Sequence, residues 1–309
     1  MYEEGALRMP AATSAERVRP EAPSAPTVLR ILLGTQLRRL RESRGISATE
    51  AAQAIRGSES KISRIELGRN SVREVDVADL LDLYGVTDSA EREQLLNIAS
   101  QANQHGWWHH YLDVLPGWFQ AYLGLEESAK LIRSFDVQFV PGLLQTEEYS
   151  QAVLELGSYS AESTERMVHV RQERQRRFAA GGLRLSAVID EGALRRPVGS
   201  AGVMRAQLRH LLDIADLPSL TIQITPLRTG ASYAAPGSFS ILSFAAEDLP
   251  DIVYVEQLTS ALYLDKPSDV DRYGQALDLI SATSTRPEET KQFIWSLLAE
   301  QEAHGGRLG

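Results

Sequence analysis

The sequence predicts a multidomain protein, an all-α head of five helices followed by a mixed α/β or α+β domain. Three observations predict it. Apolar residues at helical spacing, punctuated by capping residues and glycines, fill residues 28–105. After residue 183, strand-like runs alternate with helical stretches. The charge is also divided. Residues 28–72 hold nine basic and four acidic side chains, whereas the whole 309-residue chain stands at −9.

Each element follows from local pattern. Residues 1–27 are rich in Ala, Pro, Ser, Glu and Arg and read as a disordered arm. Leu29, Leu32, Leu33, Leu37 and Leu40 recur at three- and four-residue spacing, one face of a first helix that Gly45 ends. Ser47 caps a second helix, with Glu50 placed to complete a capping box. Arg56-Gly57 breaks that helix. Ser58 caps a third, which turns Ile62 and Ile65 inward and ends at Gly68. Val75, Leu80, Leu81, Leu83 and Tyr84 predict a fourth, and residues 91–102 a fifth. Residues 105–118, with His105, two adjacent Trp and Pro116, form a junction. Beyond it, 119–133 and 166–178 read as helices. Strand-like runs occupy 183–189, 220–226, 238–244 and 252–256, and 204–214, 270–280 and 288–301 read as helices. The expected divisions are an arm at 1–27, a head at 28–105, a C-terminal domain at 106–302 and a tail at 303–309.

Composition excludes several classes. The chain has no cysteine, so disulfides, thiolate zinc sites and cysteine nucleophiles are out. No apolar stretch approaches a membrane-spanning length, and the first residues lack the pattern of a signal peptide. A cytoplasmic protein with no membrane partner is expected. No phosphate loop, zinc-protease motif or dinucleotide fingerprint occurs. We expect no enzyme, no catalytic residues and no cofactor. His105, His109 and Asp113 have the spacing of metal ligands, but Gly106 and two Trp do not build a rigid site, so we read a polar hinge and no metal. Asp190, Glu191, Asp251 and Glu256 read as turn and edge acids, since nothing supplies a spaced nucleophile or base. The Arg-rich stretch 166–178 reads as a solvated helix face, and Trp107, Trp108, Trp118, Phe119 and Tyr122 as core or interface aromatics rather than a ligand pocket.

One stretch carries chemistry. Two short helices joined by a tight turn over 47–68 can pack steeply, so that the second enters a major groove. Glu59, Ser60 and Arg64 then face base edges; Arg suits guanine because its fork meets O6 and N7 together. Ser47, Ser58, Lys61 and Arg69 suit phosphate, which fixes register. A basic module on an acidic body is the asymmetry of a selective binder of double-stranded DNA, not of a general coat.

The stretch from Ser58 to Gly68, with Ser60-Lys61-Ile62-Ser63-Arg64-Ile65-Glu66, resembles the recognition helix of the XRE (Cro/CI-like) helix-turn-helix family. Leu37, Leu40-Arg41 and Arg44-Gly45 resemble that family's first helix. The resemblance implies a pair between Arg41 and Glu66. Two positions depart from the family pattern. Ala48 stands where a phosphate-binding Gln is frequent, and Arg56-Gly57 stands where the turn has Gly first, so Gly57 is the expected left-handed residue, displaced by one.

Residues 137–265 resemble an uncharacterised domain that commonly follows such a head in actinobacterial regulators. The resemblance is carried by Val140-Pro-Gly-Leu-Leu-Gln-Thr-Glu-Glu-Tyr149, Asp190-Glu-Gly-Ala-Leu-Arg-Arg-Pro-Val-Gly199, 204–212 and Tyr254-Val-Glu-Gln-Leu258. Those regulators are often encoded beside a small partner protein. The resemblances imply a bacterial transcription regulator. One recognition helix reads only a few base pairs, so we expect a homodimer held together by the C-terminal domain, which also senses an effector or partner. The alternative is an antitoxin-like adaptor that chiefly binds the small partner and uses DNA for autoregulation.

Overall fold

Short amphipathic segments can bury their apolar faces only against one another, and the head does so with five helices among the described residues. The computed structural model describes residues 26–68, 71–157, 159–229, 237–245 and 249–305. Its head comprises α1 (Pro26–Ser43), α2 (Ala48–Ala54), α3 (Glu59–Glu66), α4 (Glu74–Leu83) and α5 (Ser89–Ala102). Leu33, Leu37, Ile55, Ile62, Ile65, Leu80 and Leu81 meet in one small core. Gly45 and Gly68, at φ +66° and +64°, take the left-handed conformation that stops α1 and α3. The expected arm, apart from the first turn of α1, lies outside the described residues, as do residues 306–309 of the expected tail.

The first helix differs from its sequence reading. It begins at Pro26, and its apolar residues do not share one destination. Leu33 and Leu37 enter the head core. Val28, Ile31 and Leu32 pack instead into the core of the C-terminal domain. Close approaches hold both ends. A Cβ on Gly34 would lie 2.4 Å from the Ile65 carbonyl oxygen at the end of α3, and one on Gly124 would lie 2.2 Å from the Thr27 hydroxyl.

A 3₁₀ turn (Trp107–Tyr111) leads to α6 (Gly117–Ser128) and then directly to β1 (Ala129–Asp136). The expected helix over 119–133 therefore stops five residues early. Residues 129–133 are good helix formers, but β1 is central and is paired on both sides, which overrides local preference. The remaining elements are α7 (Glu147–Glu155), α8 (Ala161–Ala180), β2 (Arg184–Asp190), α9 (Glu191–Arg195), α10 (Ala201–Ile214), β3 (Leu220–Thr225), β4 (Phe239–Phe244), β5 (Ile252–Glu256), β6 (Ala261–Leu264), α11 (Pro267–Thr283) and α12 (Pro287–Gly305).

The six strands run in the order β3-β2-β1-β4-β5-β6. The first three are parallel, with Ser134 opposite Ala187, and the last three are antiparallel, with Phe135 opposite Phe239. Period-2 alternation sends the two faces to different cores. Ile132, Ala187, Ile222 and Leu242 face the larger helical layer. Phe135, Val188, Ile241 and Val253 face Leu277 and Ile280 of α11. The β3 edge is covered. Thr285 donates its backbone N–H to the Ile224 carbonyl at 2.8 Å, and the Thr290 hydroxyl donates to the Ile222 carbonyl at 2.7 Å.

Candidate nucleic-acid interface

Capping decides where the two short helices start. The Ser47 hydroxyl accepts from the Glu50 N–H at 3.2 Å, and the Glu50 carboxylate accepts from the Ser47 N–H at 2.8 Å, a reciprocal box. The Ser47 N–H and the Ser47 hydroxyl, both donating to it, hold the Glu50 carboxyl below its ordinary pKa. The Ser58 hydroxyl accepts from the Lys61 N–H at 3.2 Å and starts α3. Between the helices, the left-handed residue is Arg56, at φ +51°, and not Gly57 as expected. A side chain there carries a conformational cost of about 1 kcal/mol. Lys61 lies close over Gly57, where an added Cβ would be 3.0 Å from the Lys61 Cδ.

Helix α3 has two unlike faces. Ile62 and Ile65 are buried at 1% and 3% exposure. Glu59, Ser60, Ser63 and Arg64 are exposed. The Arg64 Nε donates to the Ser60 carbonyl at 3.2 Å, so both residues lie on one strip of the helix. No acid among the described residues pairs with Arg64.

The other expected DNA contacts are placed differently. The Glu59 carboxylate accepts from the Thr49 hydroxyl at 2.6 Å, which ties α3 to α2 across the turn. Thr49 had no signal in the sequence, because its partner lies ten residues away. The Lys61 ammonium donates to Asp76 at 2.7 Å. Asp76 is 1% exposed and also accepts from Arg73. Burial opposes its charge, but the hydrogen bonds from Arg73 and Lys61 outweigh that and hold its carboxyl below the ordinary value. Lys61 is therefore engaged in the α3–α4 contact, with its side chain one-third exposed. Arg69 lies outside the described residues.

Arg41 and Glu66 meet. The guanidinium donates from Nε and Nη2 to the two carboxylate oxygens at 2.6 and 3.0 Å, and from Nη1 to the Ile46 carbonyl at 2.9 Å. The hydrogen bond to Glu66 raises the Arg41 pKa above its ordinary value against the opposing effect of burial. The pair fixes α3 to α1 through a bidentate fork. Glu66→Ala is expected to destabilise the head by about 2–3 kcal/mol, since it strands a guanidinium that is mostly enclosed. Hydrogen exchange of the α2 and α3 amides in the full-length protein reads this directly; unchanged protection would sink the idea.

The remaining singled-out residues have structural partners. Arg166 pairs with Asp113, while the His105 and His109 rings pack with centroids 3.9 Å apart. Asp190 caps α9 by accepting from the Gly192 N–H at 2.7 Å. Glu191 accepts from the Leu227 N–H and pairs with Arg195. Asp251 accepts from the Ser243 hydroxyl, and Glu256 from the Tyr254 hydroxyl. The Arg-rich stretch expected over 166–178 lies within α8, and Arg174 from it is buried, not solvated. Trp108 is buried in a small cluster with Leu115, Leu123 and Val170, and Tyr122 lies in the larger core. No described helix is long and apolar enough to cross a membrane.

Comparison with known families agrees with this division. Residues 32–95 match a family model described as a helix-turn-helix domain, which supports DNA binding. Residues 119–296 match the model described as a domain of unknown function, DUF5753. No curated protein and no solved structure matches the chain.

Proposed function

The chain belongs to the DUF5753 family and carries a helix-turn-helix domain ahead of that region, and from this premise we propose that it is a sequence-specific DNA-binding transcription regulator. Helix α3 lies in the major groove. Arg64 and Ser60 read base edges from the exposed strip, and the capping serines Ser47 and Ser58 lie beside the phosphates. The observation that carries this reading is the geometry of Arg64, an exposed guanidinium with no acidic partner among the described residues, on a helix whose opposite face is buried. The C-terminal domain has no role in chemistry in this reading; it dimerises the protein and responds to an effector or partner. A homodimer presents two α3 helices to half-sites about one helical turn, ~34–36 Å, apart.

Arg64→Ala tests the reading. It is expected to lose about 1–3 kcal/mol of specific binding and to relax sequence choice at one position, read by footprinting and by competition with random DNA. An equal loss on specific and random DNA would assign Arg64 to phosphate and overturn the base-reading role.

A further inference from the structure

The 3₁₀ turn, α6, β1 and the end of α8 enclose a cavity that the DNA-binding reading does not use. Its volume is about 300 Å³, the lower end of the range for small-molecule sites. Trp107, at the start of the 3₁₀ turn, forms one wall, and Phe178, near the end of α8, contributes another apolar surface. The floor is the α6–β1 corner, where Ser128 meets the first residues of the strand. Gly181 and Gly182, both at positive φ, complete the rim without side chains.

The charges on this wall are not balanced. Arg174 is paired with Glu126, and Arg177 with Glu127 and Glu173. Lys130 also lines the cavity, is exposed, and makes no ion pair among the described residues. It is the surplus cation. The Trp107 indole already carries the Arg177 guanidinium, 5.0 Å from its ring centroid.

We propose that this cavity binds a small aromatic carboxylate. The ring sits among Trp107, Phe178 and Leu123, and the carboxylate pairs with the Lys130 ammonium. An anion answers the surplus cation, a planar ring answers the indole and phenyl surfaces, and the volume limits the ligand to one or two fused rings.

Occupancy reaches the head along a short route. Trp107 belongs to the segment that joins α5 to α6. Leu123 is on α6, one residue from Gly124, which lies directly against Thr27 of α1. The ligand therefore stands one helix away from the element that carries α3. This part of the proposal rests on the regulator reading: a ligand that binds one arrangement of that junction more tightly shifts the affinity for DNA.

The probe is 2-naphthoate, with uncharged 2-naphthamide as its isosteric control, titrated into the full-length protein by calorimetry and tryptophan fluorescence. We expect saturable binding of 2-naphthoate with a change in tryptophan emission, and at least tenfold weaker binding of 2-naphthamide. Lys130→Gln should weaken 2-naphthoate about tenfold while melting at the wild-type temperature. A second variant, Ala245→Trp, narrows the cavity from the β4 side and should weaken binding with Lys130 intact. No saturation at millimolar 2-naphthoate, equal affinity for the amide, or binding indifferent to both variants would overturn the site. The same titration is then run on a selected DNA site. Unchanged DNA affinity at saturating 2-naphthoate would overturn the coupling alone. Failure to find any preferred DNA sequence would overturn the regulator reading and leave the binding result standing.

Discussion

Arg174→Met is expected to lower the stability of the C-terminal domain by about 3–5 kcal/mol, and Glu126→Leu added to it to restore most of the loss. Arg174 and Glu126 are each 8% exposed, and two parallel hydrogen bonds of 2.8 and 2.7 Å join them. The guanidinium also lies over the Phe119 and Tyr122 rings, 5.4 and 5.5 Å from their centroids. Burial alone would lower the Arg174 pKa; the Glu126 carboxylate outweighs it and keeps the group more firmly charged than a free arginine. Removing one partner leaves the other as a buried, unpaired charge. Removing both leaves apolar side chains of similar volume, which is close to neutral. Urea unfolding of the two single variants and the double variant gives the coupling. A single substitution costing less than 1 kcal/mol, or a double as unstable as the worse single, would refute the account.

The second large effect depends on pH. Asp136 ends β1, with its carboxylate accepting from the Ser134 hydroxyl at 2.7 Å. Burial raises its pKa to about 7, against the opposing effect of that hydrogen bond. The unfolded chain ionises Asp136 near pH 4, so between about pH 4 and 7 the folded state binds more protons. Stability from this group therefore falls as pH rises through that window, and the full penalty stands above it. The shift corresponds to about 4 kcal/mol at most; water reaches part of the side chain, so about 2–3 kcal/mol is the expected size. Asp136→Asn should be more stable than the native protein by that amount at pH 8 and nearly equal to it at pH 4. The same difference at both values would show that Asp136 is not held protonated.

Much of the head was legible because its signals are local. Ser47, Glu50, Ser58, Gly45 and Gly68 act within four residues of themselves, and the structure uses each as a cap or a stop. Contacts between distant positions were not legible from spacing. Lys61 reads as a phosphate ligand, and its contact with Asp76, fifteen residues on, has no local signal. Arg56, and not the more permissive Gly57, takes the left-handed turn position, which local preference does not foretell. In the C-terminal domain, the four strands beginning near Arg184, Leu220, Phe239 and Ile252 showed β-branched, alternating character. β1 did not, because Ala129-Lys-Leu-Ile-Arg133 favours a helix and only its two neighbouring strands decide otherwise. β6 is four residues long, too short for alternation to register.

Helix α1 gives the molecule a domain boundary of an unusual kind. Its first two turns are seated in one core and its later turns in another. The seam thus crosses a continuous helix, between Leu32 and Leu33, instead of a loop. Each residue turns a helix by about 100°, so inserting one residue between Leu32 and Leu33 would rotate one apolar face away from its core. The shortest insertion that nearly restores the phase is about seven residues, two turns, and it would separate the two bodies by ~10 Å. The angle at which α3 is presented is therefore indexed to the sheet by helical phase. A head grafted onto another body must carry that body's own version of Val28, Ile31 and Leu32, in register, at the start of its first helix.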